Sequence, residues 1–182
     1  MTVSLHTKRL LLRPWCHDDV AAFETMSADP TVMEFLRPFP DLAACEAWAM
    51  RARAHWNEQG FGQWVVEVPG EAAFIGVVGL ARISYGAHFT PAVEIAWRLA
   101  RAYWGRGYAS EAARAALNYG FGELGLEQIV AVTVPANQRS RRVMERLGMA
   151  RDPADDFDHP NVPEGPLRRH VLYRMRNPWI AS

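Results

Sequence analysis

Apolar and polar positions divide the chain into segments with a period near two or near 3.6, most bounded by a start or stop signal. Leu10-Leu-Leu-Arg13 is a short apolar run ended by Pro14 and predicts a first strand. Asp18 is placed to cap a helix running through Met26, with Val20, Phe23 and Met26 on its inner face. Pro30 starts a short helical piece that ends before Pro38. Asp41 suits the N-cap of a long helix from Leu42 to Gln59, and Gly60 stops it. Gln63–Val68 and Ala73–Ile83, rich in Val, Ile, Phe and Trp, predict strands joined by a hairpin turn at Pro69-Gly70. A strand over Ala92–Leu99 and a helix over Ser110–Phe121 follow, then a β-branched strand at Ile129–Val134. Ala136-Asn137 leads into a helix ending at Leu147-Gly148. A loop rich in Pro and Asp, Asp152–Pro166, and a strand over Arg168–Arg176 complete the chain. This order predicts an α+β fold: a mixed, partly antiparallel sheet with helices packed on both faces.

No repeat, low-complexity tract or linker interrupts that order, so residues 1–182 read as one domain. A domain of this length buries roughly 70% of its unfolded surface and needs no staples. Hydrophobic residues make up 49% and charged residues 22%, the balance of a soluble globular protein. The formal net charge is zero, so no global field draws the chain to nucleic acid or to a membrane. All basic residues except Lys8 are Arg, which reads as genome composition. Cys16 and Cys45 are the only cysteines, and neither has a metal or redox spacing. The first residues lack the apolar core of a signal peptide, and no apolar run is long enough to span a membrane. A reduced, cytoplasmic location is the expectation.

Chemistry concentrates after the Ala92–Leu99 strand. Gly105 and Gly107 form a turn, and an Ala-rich helix follows at once. Glycines permit backbone conformations that a side chain forbids. The first N–H groups of a helix have no intrahelical partner, and the dipole is positive at that end. Strand, glycine turn and helix start therefore predict an anion cradle suited to a diphosphate. A dinucleotide fold would need Gly-x-Gly-x-x-Gly after the first strand, whereas Ser110 stands at the last position here and several strands precede the turn. No Gly-Lys-Ser/Thr of a P-loop exists.

These residues resemble the GNAT acetyltransferase superfamily. Its phosphate loop is Gln/Arg-x-x-Gly-x-Gly/Ala, and Trp104-Gly-Arg-Gly107-Tyr-Ala109 is similar, with Trp at the first position. Asn137-Gln-Arg-Ser140, continuing to Leu147-Gly148-Met149, resembles the family's Asn-containing helix and its Leu-Gly-Phe ending. Leu10-Leu-Leu-Arg13-Pro with Asp18-Asp19, and Asp29-Pro30 with Val32-Met33, is similar to the branch that acetylates N-termini of ribosomal proteins (RimJ/RimL-type). The resemblance implies a splayed, mostly antiparallel central sheet, opened where the Glu94 strand meets the strand after Glu127. It implies acetyl-CoA as co-substrate, with pantetheine along Trp97–Leu99 and the diphosphate on the amides of Gly105, Arg106, Gly107, Tyr108, Ala109 and Ser110. Asn137 would contact the pantetheine arm or the amide opposite it. Family members often pair, so the resemblance allows a homodimer.

An alkyl ammonium must lose a proton before it attacks a thioester, and a nearby carboxylate can take it. Glu94, in the apolar context Val-Glu-Ile-Ala-Trp, is the candidate base, and burial would raise its pKa into a useful range. The competing reading pairs it with Arg82 or Arg98 on the sheet surface. The departing thiolate needs a donor. The family's Tyr position holds Met144, whereas Ser140 stands where the ribosomal-protein branch places a Ser. Its plainer reading is a helix cap beside Asn137. The oxyanion is expected at a backbone N–H near Leu99. Arg106, Arg139, Arg141 and Arg142 either screen the CoA phosphates or are solvated faces.

The histidines have no metal spacing, and Asp155-Asp-Phe-Asp158-His159 lacks the Gly turn of a calcium loop, so no metal is expected. Trp48, Trp56, Phe35, Phe39 and Phe61 read mainly as core, and Tyr85-Gly-Ala-His88-Phe as a second wall of an acceptor site. The reading is an N-acetyltransferase that joins acetyl-CoA and a primary amine, of a protein N-terminus or a small molecule, in one ternary complex. The rival is a domain that binds acyl-CoA without transferring the group.

Overall fold

The computed structural model describes residues 3–180. They pack as two compact units, one built from residues 3–81 and 96–116 and the other from 82–95 and 117–180.

In the first unit β1 (Leu5–His6), β2 (Leu11–Arg13), β3 (Gln63–Val68) and β4 (Ala72–Arg82) lie side by side, each pair antiparallel. Leu12 is opposite Val66 and Val65 opposite Val77, with a register shift between Val66 and Val68. The later residues of β5 (Val93–Leu99) run along β4, and Ala100 N–H donates to the Ile75 carbonyl at 2.8 Å. Gly76 makes this approach feasible: a Cβ there would lie 2.2 Å from the Arg98 carbonyl oxygen, and its φ is +144°.

Helices α1 (Asp19–Ser27), α2 (Pro30–Met33) and α3 (Leu42–Gln59) supply the other layer. Trp15, Phe23, Met26, Val32, Cys45, Ala49, Val65 and Val77 form one core cluster. Asp41 caps α3 through Ala44 N–H (2.8 Å), and Gly60 ends it at φ +75°. α2 stops at Met33, well ahead of Pro38, where Leu36 N–H closes a turn on the Met33 carbonyl at 2.9 Å. The cap of α1 differs from expectation. Asp18 is already αR and makes no side-chain cap bond. No side chain among the described residues takes its place: Asp19, the first helical residue, reaches back instead, accepting from Cys16 N–H at 2.6 Å and from both terminal nitrogens of Arg13 at 2.9 and 2.7 Å. A carboxylate buried to this degree is tolerated because it is paired. Burial alone would raise its pKa, and the bonds from Arg13 and Cys16 outweigh that and hold it low.

In the second unit Ile83 N–H donates to the Ala92 carbonyl (3.0 Å) at the base of a hairpin that leads into β5. β5 meets β6 (Gln128–Thr133) in parallel, with Glu94 opposite Val130. β6 is antiparallel to β9 (Arg169–Arg176), from Gln128 opposite Arg176 to Thr133 opposite Val171. Ile129, Val130 and Ala131 are all fully buried, the continuous run expected of a strand covered on both faces. β7 (Ala150–Arg151) and β8 (Phe157–Asp158) flank β9. The segment expected as a plain loop thus carries β8 and a 3₁₀ turn, Pro153–Asp155. α4 (Tyr108–Gly122) starts two residues before the expected Ser110, and α5 (Gln138–Leu147) buries Val143, Met144 and Leu147 at helical spacing. The fold is mixed α/β with a mostly antiparallel sheet: the order of elements predicts the mixed sheet with helices, and the resemblance implies its mostly antiparallel character.

Candidate active site

The turn before α4 is shaped by its two glycines, Gly105 at φ +75° and Gly107 at φ +81°, where a side chain is strained. A 3₁₀ turn, Arg101–Tyr103, joins it to β5, and the Trp104 indole N–H donates to the Leu99 carbonyl at 2.7 Å. The Trp at the family's Arg/Gln position therefore ties the turn to the strand end. Residues 105–107 are exposed. The first bond of α4 runs from Glu111 N–H to the Gly107 carbonyl (3.0 Å), so the N–H groups of Tyr108, Ala109 and Ser110 have no carbonyl partner within the helix. Ser110 Oγ is buried with no hydrogen-bond partner among the described residues. Three such amides at a positive helix end, an orphaned hydroxyl and two exposed glycines fit an oxyanion such as a diphosphate. Arg106 pairs with Glu71 at 3.2 Å, both half-exposed, a contact of little energetic weight.

Trp97, Leu99 and the stretch from Trp104 to Ser110 belong to the first unit; Glu94, Asn137 and Ser140 belong to the second. Glu94 is half-buried, and burial alone pushes its pKa up to about 7. Among the described residues it has no ion pair, so the proposed surface pairing with Arg82 or Arg98 does not form. Arg98 instead lies over the rings of Phe23, Phe39 and Trp48 at 5.3, 5.7 and 5.3 Å. The Tyr85 hydroxyl is buried without a hydrogen-bond partner among the described residues; burial and, secondly, the charge of Glu94 push its pKa up.

Asn137 caps α5, its Oδ1 accepting from Ser140 N–H at 3.1 Å and its Nδ2 donating to Thr133 Oγ1 at 3.0 Å. Ser140 sits in the first turn of α5, half-buried. Met144, at the family's Tyr position, is core, with 1% of its surface exposed. Arg141 donates to the Tyr173 hydroxyl (3.3 Å) and the Pro135 carbonyl (3.2 Å).

The acidic segment is spent on ion pairs. Asp155 takes Arg174 (2.7 Å) and His88 (3.2 Å), Asp156 takes Arg151, and Asp158 takes Arg169 at 3.2 Å. Among the described residues no group of three or more His, Cys, Asp or Glu could hold a metal ion. Trp56 and Phe61 are core, while Phe39 and Trp48 are half-buried against the first-unit cluster. Tyr85 stacks on Phe157 at 6.3 Å and leans on His159 at 4.2 Å. Sequence reasoning passed over Thr7, Arg9 and Glu111, which are joined behind the glycine turn. The available signal was Glu111 as an acid in the first turn of α4, the end where the dipole favours one.

The model of the acetyltransferase (GNAT) domain matches residues 9–150. The chain is 32% identical over 190 aligned positions to an FsC-acetyl coenzyme A-N(2)-transacetylase of Aspergillus fumigatus, covering 96% of this chain and 80% of that protein. An acetyltransferase structure from Agrobacterium tumefaciens superposes with a TM-score of 0.77 at 30% identity, covering 96% of this chain and 94% of the other. Mycobacterium smegmatis RimJ, solved in complex with CoA-disulfide, shares the fold with a TM-score of 0.76 at 22% identity, over 96% of this chain and 86% of its own.

Proposed function

The chain belongs to the acetyltransferase (GNAT) family and moves acetyl groups to amines, and we propose that acetyl-CoA is held by the Trp104–Ser110 turn while Glu94 takes the proton of the attacking amine. The observation that carries this reading is a carboxyl with no ion pair among the described residues, raised by burial to about 7, on the strand that leads into the turn. A base with that affinity holds a neutral-pH proton loosely enough to cycle. Trp104 holds the turn, Gly105 to Ser110 present amides to the diphosphate, and Trp97 and Leu99 line the pantetheine through their backbone. Asn137 fixes the start of α5 and touches the pantetheine arm.

In the reaction the amine nitrogen bonds to the thioester carbonyl carbon, and its proton passes to Glu94. The oxyanion is met by a backbone N–H near Leu99. The C–S bond then breaks and the sulfur takes its proton from the Ser140 hydroxyl, which regains one from solvent as Glu94 gives up the amine's proton to solvent, so the cycle closes with both groups restored. Ser140→Ala is expected to lower kcat about tenfold or more, with the KM for acetyl-CoA nearly unchanged. Steady-state kinetics with both substrates varied reads this directly, and an unchanged kcat would remove Ser140 from the mechanism.

Attack is direct, without an acyl-enzyme. Cys45 is buried and its thiol is pushed up by burial, so it holds no thiolate at neutral pH. Mass spectrometry after incubation with acetyl-CoA alone is expected to find Cys16 and Cys45 unmodified; a stable acetyl-cysteine would refute direct attack.

The acceptor is a primary amine, of a peptide N-terminus or a small molecule, and residues 1–182 act as one catalytic domain in the cytoplasm, alone or as a homodimer. Zero net charge gives no support to a nucleic-acid partner, and no helix among the described residues is long and apolar enough to cross a membrane. Thiol release from acetyl-CoA across a panel of peptides, amino acids and polyamines tests the whole reading. Release is expected only with an amine present, and its absence with every amine would leave a binding domain.

A further inference from the structure

We infer that Arg9 is a positioning residue for the glycine turn, and that the Thr7–Arg9–Glu111 clamp aims the turn's amides at the donor's diphosphate. The inference rests on the reading of the turn as the diphosphate site. Glu111, in the first turn of α4, accepts four donors. Its Oε1 takes the Thr7 hydroxyl (2.7 Å) and Arg9 N–H (2.9 Å). Its Oε2 takes Arg9 Nε (2.7 Å) and Nη2 (2.6 Å). Thr7 is itself set in place by Leu10 N–H, which donates to its Oγ1 at 2.9 Å.

The same guanidinium reaches the turn with its remaining nitrogen. Arg9 Nη1 donates to the Arg106 carbonyl at 2.9 Å, and the guanidinium carbon lies 4.6 Å over the Tyr108 ring. A Cβ added to Gly107 would meet Arg9 Nη2 at 3.4 Å. One side chain thus touches residues 106, 108 and 111 and lies beside Gly107. The peptide between Arg106 and Gly107 is planar and trans, so its carbonyl and N–H point to opposite sides. Holding the Arg106 carbonyl on the Arg9 side sends the Gly107 N–H the other way.

Charge supplies the second part of the argument. Burial alone would raise Glu111, but the bonds from Thr7 and Arg9 outweigh it and keep the carboxylate ionised. A negative charge in the first turn of α4 would repel a diphosphate, and Arg9 cancels it. The planar guanidinium puts two nitrogens on the carboxylate and a third on the carbonyl, a spread that the single nitrogen of lysine does not reproduce.

The test compares two donors: acetyl-CoA and acetyl-pantetheine, which carries the same thioester without the diphosphate. Arg9→Met is expected to lower kcat/KM with acetyl-CoA about tenfold or more, mainly through donor KM, while kcat/KM with acetyl-pantetheine stays within about twofold. Arg9→Lys should recover only part of the loss. If Arg9→Met fails to fold, Glu111→Gln, which keeps an acceptor for Thr7 but removes the charge partner, carries the same comparison and should also change acetyl-CoA selectively. Equal loss on both donors, or no loss on either, overturns the inference. A wild-type enzyme that uses both donors equally well overturns instead the diphosphate reading of the turn.

Discussion

Glu94→Gln lowers kcat by about a hundredfold or more and leaves the KM for acetyl-CoA within about twofold, because glutamine keeps the shape and cannot accept the proton. In the wild-type enzyme kcat/KM climbs as pH rises through about 7, where the Glu94 carboxylate forms, and this limb vanishes in the variant. The same residue has a signature in stability. Burial raises its pKa from an ordinary 4.5 to about 7, so the folded chain binds this proton more tightly than the unfolded chain does. Below 4.5 both states are protonated and burial of the neutral acid costs nothing electrostatic. Between those values the unfolded chain ionises first and stability falls; above about 7 the loss is complete. Glu94→Gln should therefore be the more stable protein at pH 8, by at most about 3 kcal/mol, and nearly indistinguishable near pH 4. Denaturant melts at the two pH values measure it. A pH-independent difference would mean the carboxyl is not desolvated.

Phe23→Ala is the most damaging single truncation expected in the first unit. The Phe23 ring is fully buried, stacks on Trp48 at 4.6 Å and 8°, meets Trp15 and Phe39 edge-on at 5.5 and 5.9 Å, and supports the Arg98 guanidinium. Removing it leaves a cavity walled by stiff rings that cannot collapse, at a cost of about 3–5 kcal/mol. Such a loss is a large share of a typical domain's stability and lowers Tm by roughly 6–20 °C. Calorimetry on Phe23→Ala and Phe23→Leu separates ring from bulk. Loss below about 1 kcal/mol in the alanine variant would show that the cluster repacks freely.

What the sequence revealed follows from how local each interaction is. Asp41 with Gly60, Gly105 with Gly107, and Asn137 with Gly148 act through their own backbone or a few residues on, so their chemistry is visible in a short window. Asp18 misled for the converse reason. It is followed by a second aspartate, Asp19, and the buried pairing of that residue with Arg13 and Cys16 N–H starts the helix without a side-chain cap, which a cap rule does not contain. β8 was hidden because two residues pairing with β9 leave no periodicity among prolines and aspartates. Glu94 was legible as a carboxylate in an apolar strand, but the absence of an ion pair is a three-dimensional fact. The clamp between Arg9 and Glu111 joins residues 102 apart in the chain, beyond any pattern read along it.

The hydrogen bond from the Trp104 indole to the Leu99 carbonyl turns the end of β5 and the entry to the glycine turn into one braced corner. Such a corner works as a gauge. The span from strand end to helix start is fixed before any donor arrives, so carriers whose acyl group stands farther from their charged end than in CoA are expected to be turned away by length alone.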